Sequence, residues 1–247
     1  MSVYEKSYRL LSSDVDAQQR LRLSRLFTFL QEASIAHTTA LGMGREKTLD
    51  KGLLWIVTLQ QVKAHSCFVG FGTIHVDMEN LMEEVEHIPQ MGLKGIKIHP
   101  DCQHFNIDDP RLFPVYEAVQ GKMPMMIHLG DEQYDYSHPA RLRHVLDLFP
   151  KLQVCAAHFG GHTMYETAKE YLSDTNCIMD ISSTLMFLDK KTAEGYVNHY
   201  GAERLAFGTD YPVWDPVQEV QRLQALNLTD DQKEQIAWKT AARFLNL

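Results

Sequence analysis

Cysteine is scarce in this chain, and so is positive charge. The four cysteines, Cys67, Cys102, Cys155 and Cys177, are scattered with no Cys-x-x-Cys among them. That pattern excludes a disulfide framework and a thiolate zinc knuckle, and it predicts buried free thiols in a reducing cytoplasm. Lys and Arg number 24 against 32 Asp and Glu, a formal charge of −8. Such a deficit argues against a nucleic-acid or anionic-membrane partner and leaves a small-molecule substrate. No apolar run approaches the ~20 residues of a membrane span. Met1-Ser2-Val3-Tyr4-Glu5-Lys6 does not open a signal peptide, so a cytoplasmic location is expected. What is present is ample apolar material, 45% of 247 residues, enough to bury the core of one barrel or of two smaller domains.

The organising stretch is Met125-Met126-Ile127-His128-Leu129-Gly130-Asp131, an apolar run that ends in histidine, glycine and an acid. Val154-Cys155-Ala156-Ala157-His158-Phe159-Gly160-Gly161 repeats the design, and Ile96-Lys97-Ile98-His99-Pro100 and Leu205-Ala206-Phe207-Gly208-Thr209-Asp210 follow it loosely. Short apolar runs bounded by turn residues read as buried strands of a parallel sheet. The polar residue closing each run then lies at the carboxyl edge, where α/β folds place their chemistry. His99, His128 and His158 recur at about 30 residues, the pitch of a strand, a helix and two loops.

From Phe68 the chain alternates strand and helix to its end. Strands are expected at 68–74 and at runs ending in His99, His128, His158, Ser182 and Asp210. Helices are expected near 79–85, 110–120, 139–148, 163–173, 189–199, 216–226 and 230–245, the last opened by the capping box Thr229-Asp230-Asp231-Gln232. Residues 1–63 read differently: a strand near 3–10, a long helix carrying Leu23, Leu26, Phe27, Leu30 and His37, and a strand near 53–62. Ala64-His65-Ser66-Cys67 is the seam.

Two resemblances follow. Tyr8-Arg9, Asp14-Val15-Asp16, Leu30-Gln31-Glu32-Ala33, Leu41-Gly42 and Gly52-Leu53-Leu54-Trp55 resemble the opening of a hotdog-fold acyl-carrier-protein thioesterase. The remaining strands of a hotdog sheet, and that family's catalytic residues, do not follow. Gly92-Leu93-Lys94-Gly95-Ile96-Lys97-Ile98-His99-Pro100, Ile127-His128-Leu129-Gly130, Ala157-His158-Phe159-Gly160-Gly161, Asp180-Ile181-Ser182 and Phe207-Gly208-Thr209-Asp210-Tyr211-Pro212 resemble the metal-dependent amidohydrolase superfamily, in the branch that holds hydrolases and decarboxylases. The second resemblance implies a (β/α)8 TIM-type barrel represented here by its third to eighth strands, over residues 68–247. It implies a divalent metal, zinc first and manganese second, held by His128, His158 and Asp210. Asp210 would take the proton of a metal-activated water, and His158 would ligate or shuttle protons. His99 and Gln103 are candidates for binding the substrate. His75 reads as a support behind the ligands, and His162 as solvated.

One departure from that superfamily shapes the expectations. Its first strand carries His-x-His, which occurs nowhere in this sequence. The chain therefore reads as a partial hotdog joined to a partial barrel. Weak metal affinity, low turnover and self-association through open strand edges are expected. The rival readings are a thioesterase fragment and a non-catalytic remnant.

Overall fold

The computed structural model describes residues 69–247, which lie in a compact unit spanning Phe68–Leu247. The expectations for residues 1–63, His37 included, and for the seam lie outside the described residues. Within the unit six strands form one parallel sheet in chain order, consistent with part of a TIM barrel. They are β1 Phe71–Gly72, β2 Gly95–Ile98, β3 Met125–Ile127, β4 Val154–Ala156, β5 Ile178–Asp180 and β6 Leu205–Ala206. The helices between them are α1 Leu81–Gln90, α2 Pro100–Gln103, α3 Phe113–Val119, α4 Pro139–Leu148, α5 Tyr165–Leu172 and α6 Lys190–Tyr200. A further helix, α7 Pro216–Ala225, follows β6.

Local chemistry explains the boundaries. Pro139 begins α4 behind His138, whose Nδ1 accepts the Ala140 N–H at 3.1 Å. Asp189 and Asp215 cap α6 and α7 through the amides of Thr192 and Val217. Thr229 and Gln232 form the expected reciprocal box. The long helix expected after that box runs over 230–245, with a π turn inside it: α8 Asp230–Glu234 passes through Gln235–Lys239 into α9 Thr240–Leu245. The Ile236 carbonyl there accepts the Phe207 N–H at 2.7 Å, so the C-terminal segment supplies a backbone partner just beyond β6.

Strand alternation separates two faces. Ile96, Ile98, Met125, Ile127, Val154 and Ala156 belong to the main core with the helices. Cys155, Ile178 and Ala206, with Met126, Ala241 and Phe244 against them, form a second cluster. Lys97 stands in register with Met126, and Met126 with Cys155, so a lysine joins the layer of this second face. The expectation of buried thiols is met by Cys155 and Cys177 and corrected at Cys102, which is exposed on α2. All three are free.

The Tyr116 hydroxyl, fully buried, donates to the Ile107 carbonyl at 2.6 Å. Tyr116→Phe leaves that carbonyl without its donor. A loss of about 1–3 kcal/mol is expected, read as a lower urea midpoint with unchanged slope.

Candidate metal and catalytic site

The residues that close β2, β3, β4 and β5 meet at the carboxyl edge of the sheet. The rings of His99 and His128 stack with centroids 3.7 Å apart and 12° between planes. His128 Nδ1 and His158 Nε2 are 2.9 Å apart. The sequence-predicted imidazoles therefore come together.

Hydrogen-bond partners fix which nitrogens carry protons. His158 Nδ1 lies 2.9 Å from the Ser182 carbonyl oxygen, which can only accept, so Nδ1 is the protonated nitrogen. In the neutral ring Nε2 is the acceptor, and the His128 Nδ1–H donates to it. His128 in turn keeps a lone pair on Nε2, 3.6 Å from Asp101 Oδ2. Burial holds His128 neutral: desolvation is the largest cause, followed by repulsion from His99, His158 and Lys97, and its pKa falls to about 2. His99 is lowered as well, by desolvation first and then by Lys97. Desolvation also lowers Lys97, against the pull of Asp180, Cys155 and Asp210.

Buried carboxylates support this group. Asp180 Oδ1 accepts the Ser182 hydroxyl at 2.5 Å, the Ser182 amide at 2.8 Å and the His158 amide at 3.3 Å. It fixes both the backbone of His158 and the residue that orients its ring. Asp101 Oδ2 accepts the Ser137 hydroxyl at 2.5 Å, while its Oδ1 is buried with no partner. Asp210 is exposed, and its Oδ2 accepts the Ser183 hydroxyl at 2.7 Å. Ser183 Oγ itself receives the Trp214 indole N–H at 2.9 Å. Adjacent serines thus tie His158 and Asp210 to the end of β5. His158, Phe159, Ser183 and Asp210 all hold left-handed backbone, φ 61°, 52°, 50° and 53°. Non-glycine residues in that region gather where side-chain placement is over-determined, as at functional sites.

The structure gives Gln103 and His162 contacts that were not expected. Gln103 bonds the backbone through both ends of its amide: Oε1 accepts the His99 N–H at 2.7 Å and Nε2 donates to the Ile74 carbonyl at 2.8 Å. It clamps the end of β2 to the chain beyond β1. His162 is not a solvated side chain. Its Nδ1 is buried without a partner, and its ring stands edge-on to His158 and to Phe187. His75, expected as a support, contacts the Gln103 carbonyl through Nε2 at 2.9 Å. Asp101 was not anticipated, although its place two residues after His99 was the available signal.

A divalent ion fits these donors. Among the described residues, His99, Asp101 and His128 form the group whose ligand atoms all lie within 4.8 Å of one another. The bare imidazole nitrogen and the unpartnered buried carboxylate oxygen are N and O donors suited to zinc or manganese. A cavity of about 540 Å³ between α1 and α3, lined by Val85, Pro89, Leu93, Val119 and Met123, lies apart from this group. It contains none of the histidines and is not where the chemistry is assembled.

Comparison with known proteins agrees with this architecture. Residues 1–88 match the acyl-ACP thioesterase N-terminal domain. The described part of that match, residues 69–88, carries β1 and most of α1 of the barrel unit. Among curated proteins, 2-amino-3-carboxymuconate-6-semialdehyde decarboxylase of Dictyostelium discoideum is 24% identical over 223 residues, covering 73% of this chain and 61% of that protein. The chain thus spans about three fifths of that relative's length. An uncharacterized TIM-barrel protein from Bordetella bronchiseptica superposes with TM-score 0.64 at 23% identity, over 72% of this chain and 66% of the other. Dihydroxybenzoic acid decarboxylase from Polaromonas sp. JS666, solved with manganese and 2-nitroresorcinol, gives TM-score 0.59 at 16% identity, over 73% and 69%. At these identities the structural likeness speaks to the fold. Residues 57–247, most of the chain, match the amidohydrolase family. The chain belongs to the amidohydrolase family.

Proposed function

We propose that this chain is a metal-dependent hydrolase or decarboxylase acting on a small carboxylated or cyclic substrate. The observation that carries the reading is the meeting of His99, His128 and His158 with buried Asp101 and Asp180 at the ends of parallel strands. The names of the relatives, a carboxymuconate-semialdehyde decarboxylase and a dihydroxybenzoic acid decarboxylase, favour decarboxylation over hydrolysis. The family resemblance implies an ion on His128, His158 and Asp210; of these, His128 also belongs to the group with His99 and Asp101. When bound, a divalent ion supplies Lewis-acid polarisation and an acidified water.

The chain's own residues do the rest. Asp210 has Oδ2 held by Ser183, which leaves Oδ1 to accept a proton. His158 has Nδ1 fixed on Ser182 and Nε2 against His128, so a proton relayed through that ring passes along the His128–His158 contact. His99, half-buried beside His128, is the candidate contact for a substrate anion. Net negative charge suits a free small molecule over a polyanion. Among the described residues no helix is long and apolar enough to cross a membrane. A cytoplasmic location and self-association through strand edges belong to the same reading.

The test is a panel of small aromatic and unsaturated carboxylates offered to the full chain, with carbon dioxide release and ester or amide cleavage followed separately. Loss of turnover by at least tenfold in chelator and its return with manganese or zinc are the expected outcome. Turnover unchanged in chelator would count against metal chemistry. A long-chain acyl thioester belongs in the same panel, because residues 1–88 match a thioesterase domain. Cleavage of that substrate alone, unaffected by chelator, would favour the thioesterase reading.

A further inference from the structure

We propose that the divalent ion is seated between His128 Nε2 and the carboxylate of Asp101, making Asp101 a metal ligand of this chain. The inference rests on the metal dependence proposed above and concerns which residues provide it. Asp101 is 5% exposed, and its Oδ1 has no hydrogen-bond partner. A buried carboxylate oxygen left without a donor or cation is costly. The imidazole within 4 Å of it, His128, cannot relieve that cost. His128 donates Nδ1–H to His158, so Nε2 offers a lone pair towards Asp101 instead of a proton. Two electron-rich atoms 3.6 Å apart, one of them on a buried carboxylate, are the arrangement that a shared cation completes.

The other candidates around the mouth are committed elsewhere. His158 uses Nδ1 on Ser182 and Nε2 on His128. Asp180 Oδ1 takes three donors. Asp210 has one oxygen on Ser183, is exposed, and lies outside the group whose ligand atoms sit within 4.8 Å of one another. His99 lies in the metal-competent group, yet its ring is stacked on His128. An ion lies near the plane of each imidazole that binds it, and two nearly parallel rings 3.7 Å apart share no such point. Its Nδ1 also accepts the Cys102 N–H, which caps α2. His99 joins the ion only by turning its ring. One nitrogen, one carboxylate and open positions for water or substrate form a mixed set that manganese and zinc both accept.

Cobalt(II) serves as the spectroscopic probe. The full chain is titrated with cobalt, following visible absorption, with zinc and manganese as competitors. Asp101→Asn is expected to weaken cobalt binding by more than about 100-fold, beyond the 10–100-fold typical of supporting residues. Ser137→Ala removes the hydrogen bond to Asp101 but keeps the carboxylate, and the loss is expected to stay at or below the ~10–100-fold of a supporting residue. If Asp101→Asn does not fold, Asp101→Glu, which keeps the charge one methylene further out, is titrated instead, with a loss of at least tenfold expected. Cobalt binding by Asp101→Asn within threefold of the parent would overturn the assignment and leave metal dependence standing. A parent chain that takes up none of the three metals would overturn both.

Discussion

Asp210→Asn is expected to lower turnover by about 10²–10⁴-fold, the range for removing a positioned general base. The substitution keeps the shape of the side chain. Its amide oxygen can still accept the Ser183 hydroxyl, which now bonds Asp210 Oδ2 at 2.7 Å. The Trp214 indole on Ser183 Oγ is likewise undisturbed. What is lost is the second oxygen as a proton acceptor. Stability is therefore expected to change little, because Asp210 is exposed and its polar contact is retained. The measurement pairs single-turnover rates on a substrate found in the panel with urea unfolding of the same preparation. A variant that retains the parent rate would remove Asp210 from the chemistry. A variant that loses both rate and fold would point to a structural role for the carboxylate.

That the acid could be named from sequence, while Asp101 could not, reflects how each signal is written. Asp210, His128 and His158 end apolar runs, and the parallel sheet places such ends together; the runs were long enough to be read. The six strands and helices such as Pro139–Leu148 were legible for the same reason, helped by the proline at the start of α4. Asp101 lies in the first turn after His99-Pro100, where an acid ordinarily faces water and favours the helix N-terminus. Only the tertiary approach of Ser137, 36 residues away, shows that it is buried. Gln103 looked available because a glutamine's sequence context says nothing of its two backbone partners. His162 follows a Gly-Gly turn and precedes Thr163 at φ 59°, a path that folds its ring inward and has no periodic signature. The π turn at Gln235–Lys239 was hidden because an apolar pattern does not reveal which carbonyl will be diverted to Phe207.

Gly130→Ala is expected to destabilise the barrel unit by more than about 4 kcal/mol, a size reserved for a few identifiable mechanisms. Two of them act together here. Gly130 has φ +82°, a conformation that an L side chain rarely adopts. A Cβ at that position would stand 2.4 Å from the His162 nitrogen and 2.5 Å from both the Gly161 carbonyl carbon and the His162 oxygen. Those atoms are backbone and cannot turn aside as a side chain would. The same contact is reinforced from both sides: the His162 N–H donates to the Leu129 carbonyl at 2.7 Å, and the Gly130 N–H to the Ser137 carbonyl at 3.1 Å. The loops after β3 and β4 are thus interlocked backbone to backbone, directly beyond His128 and His158. Relief of the clash requires the loops to part, which would stretch the 2.9 Å contact between those two rings. Urea unfolding of the full chain measures the loss, and cobalt titration of whatever remains folded reports on the histidines. Since His128 is the imidazole that links the ion to the rest of the network, cobalt affinity is expected to fall together with stability. A Gly130→Ala chain within about 1 kcal/mol of the parent would show that the two loops are not interlocked as the structure places them.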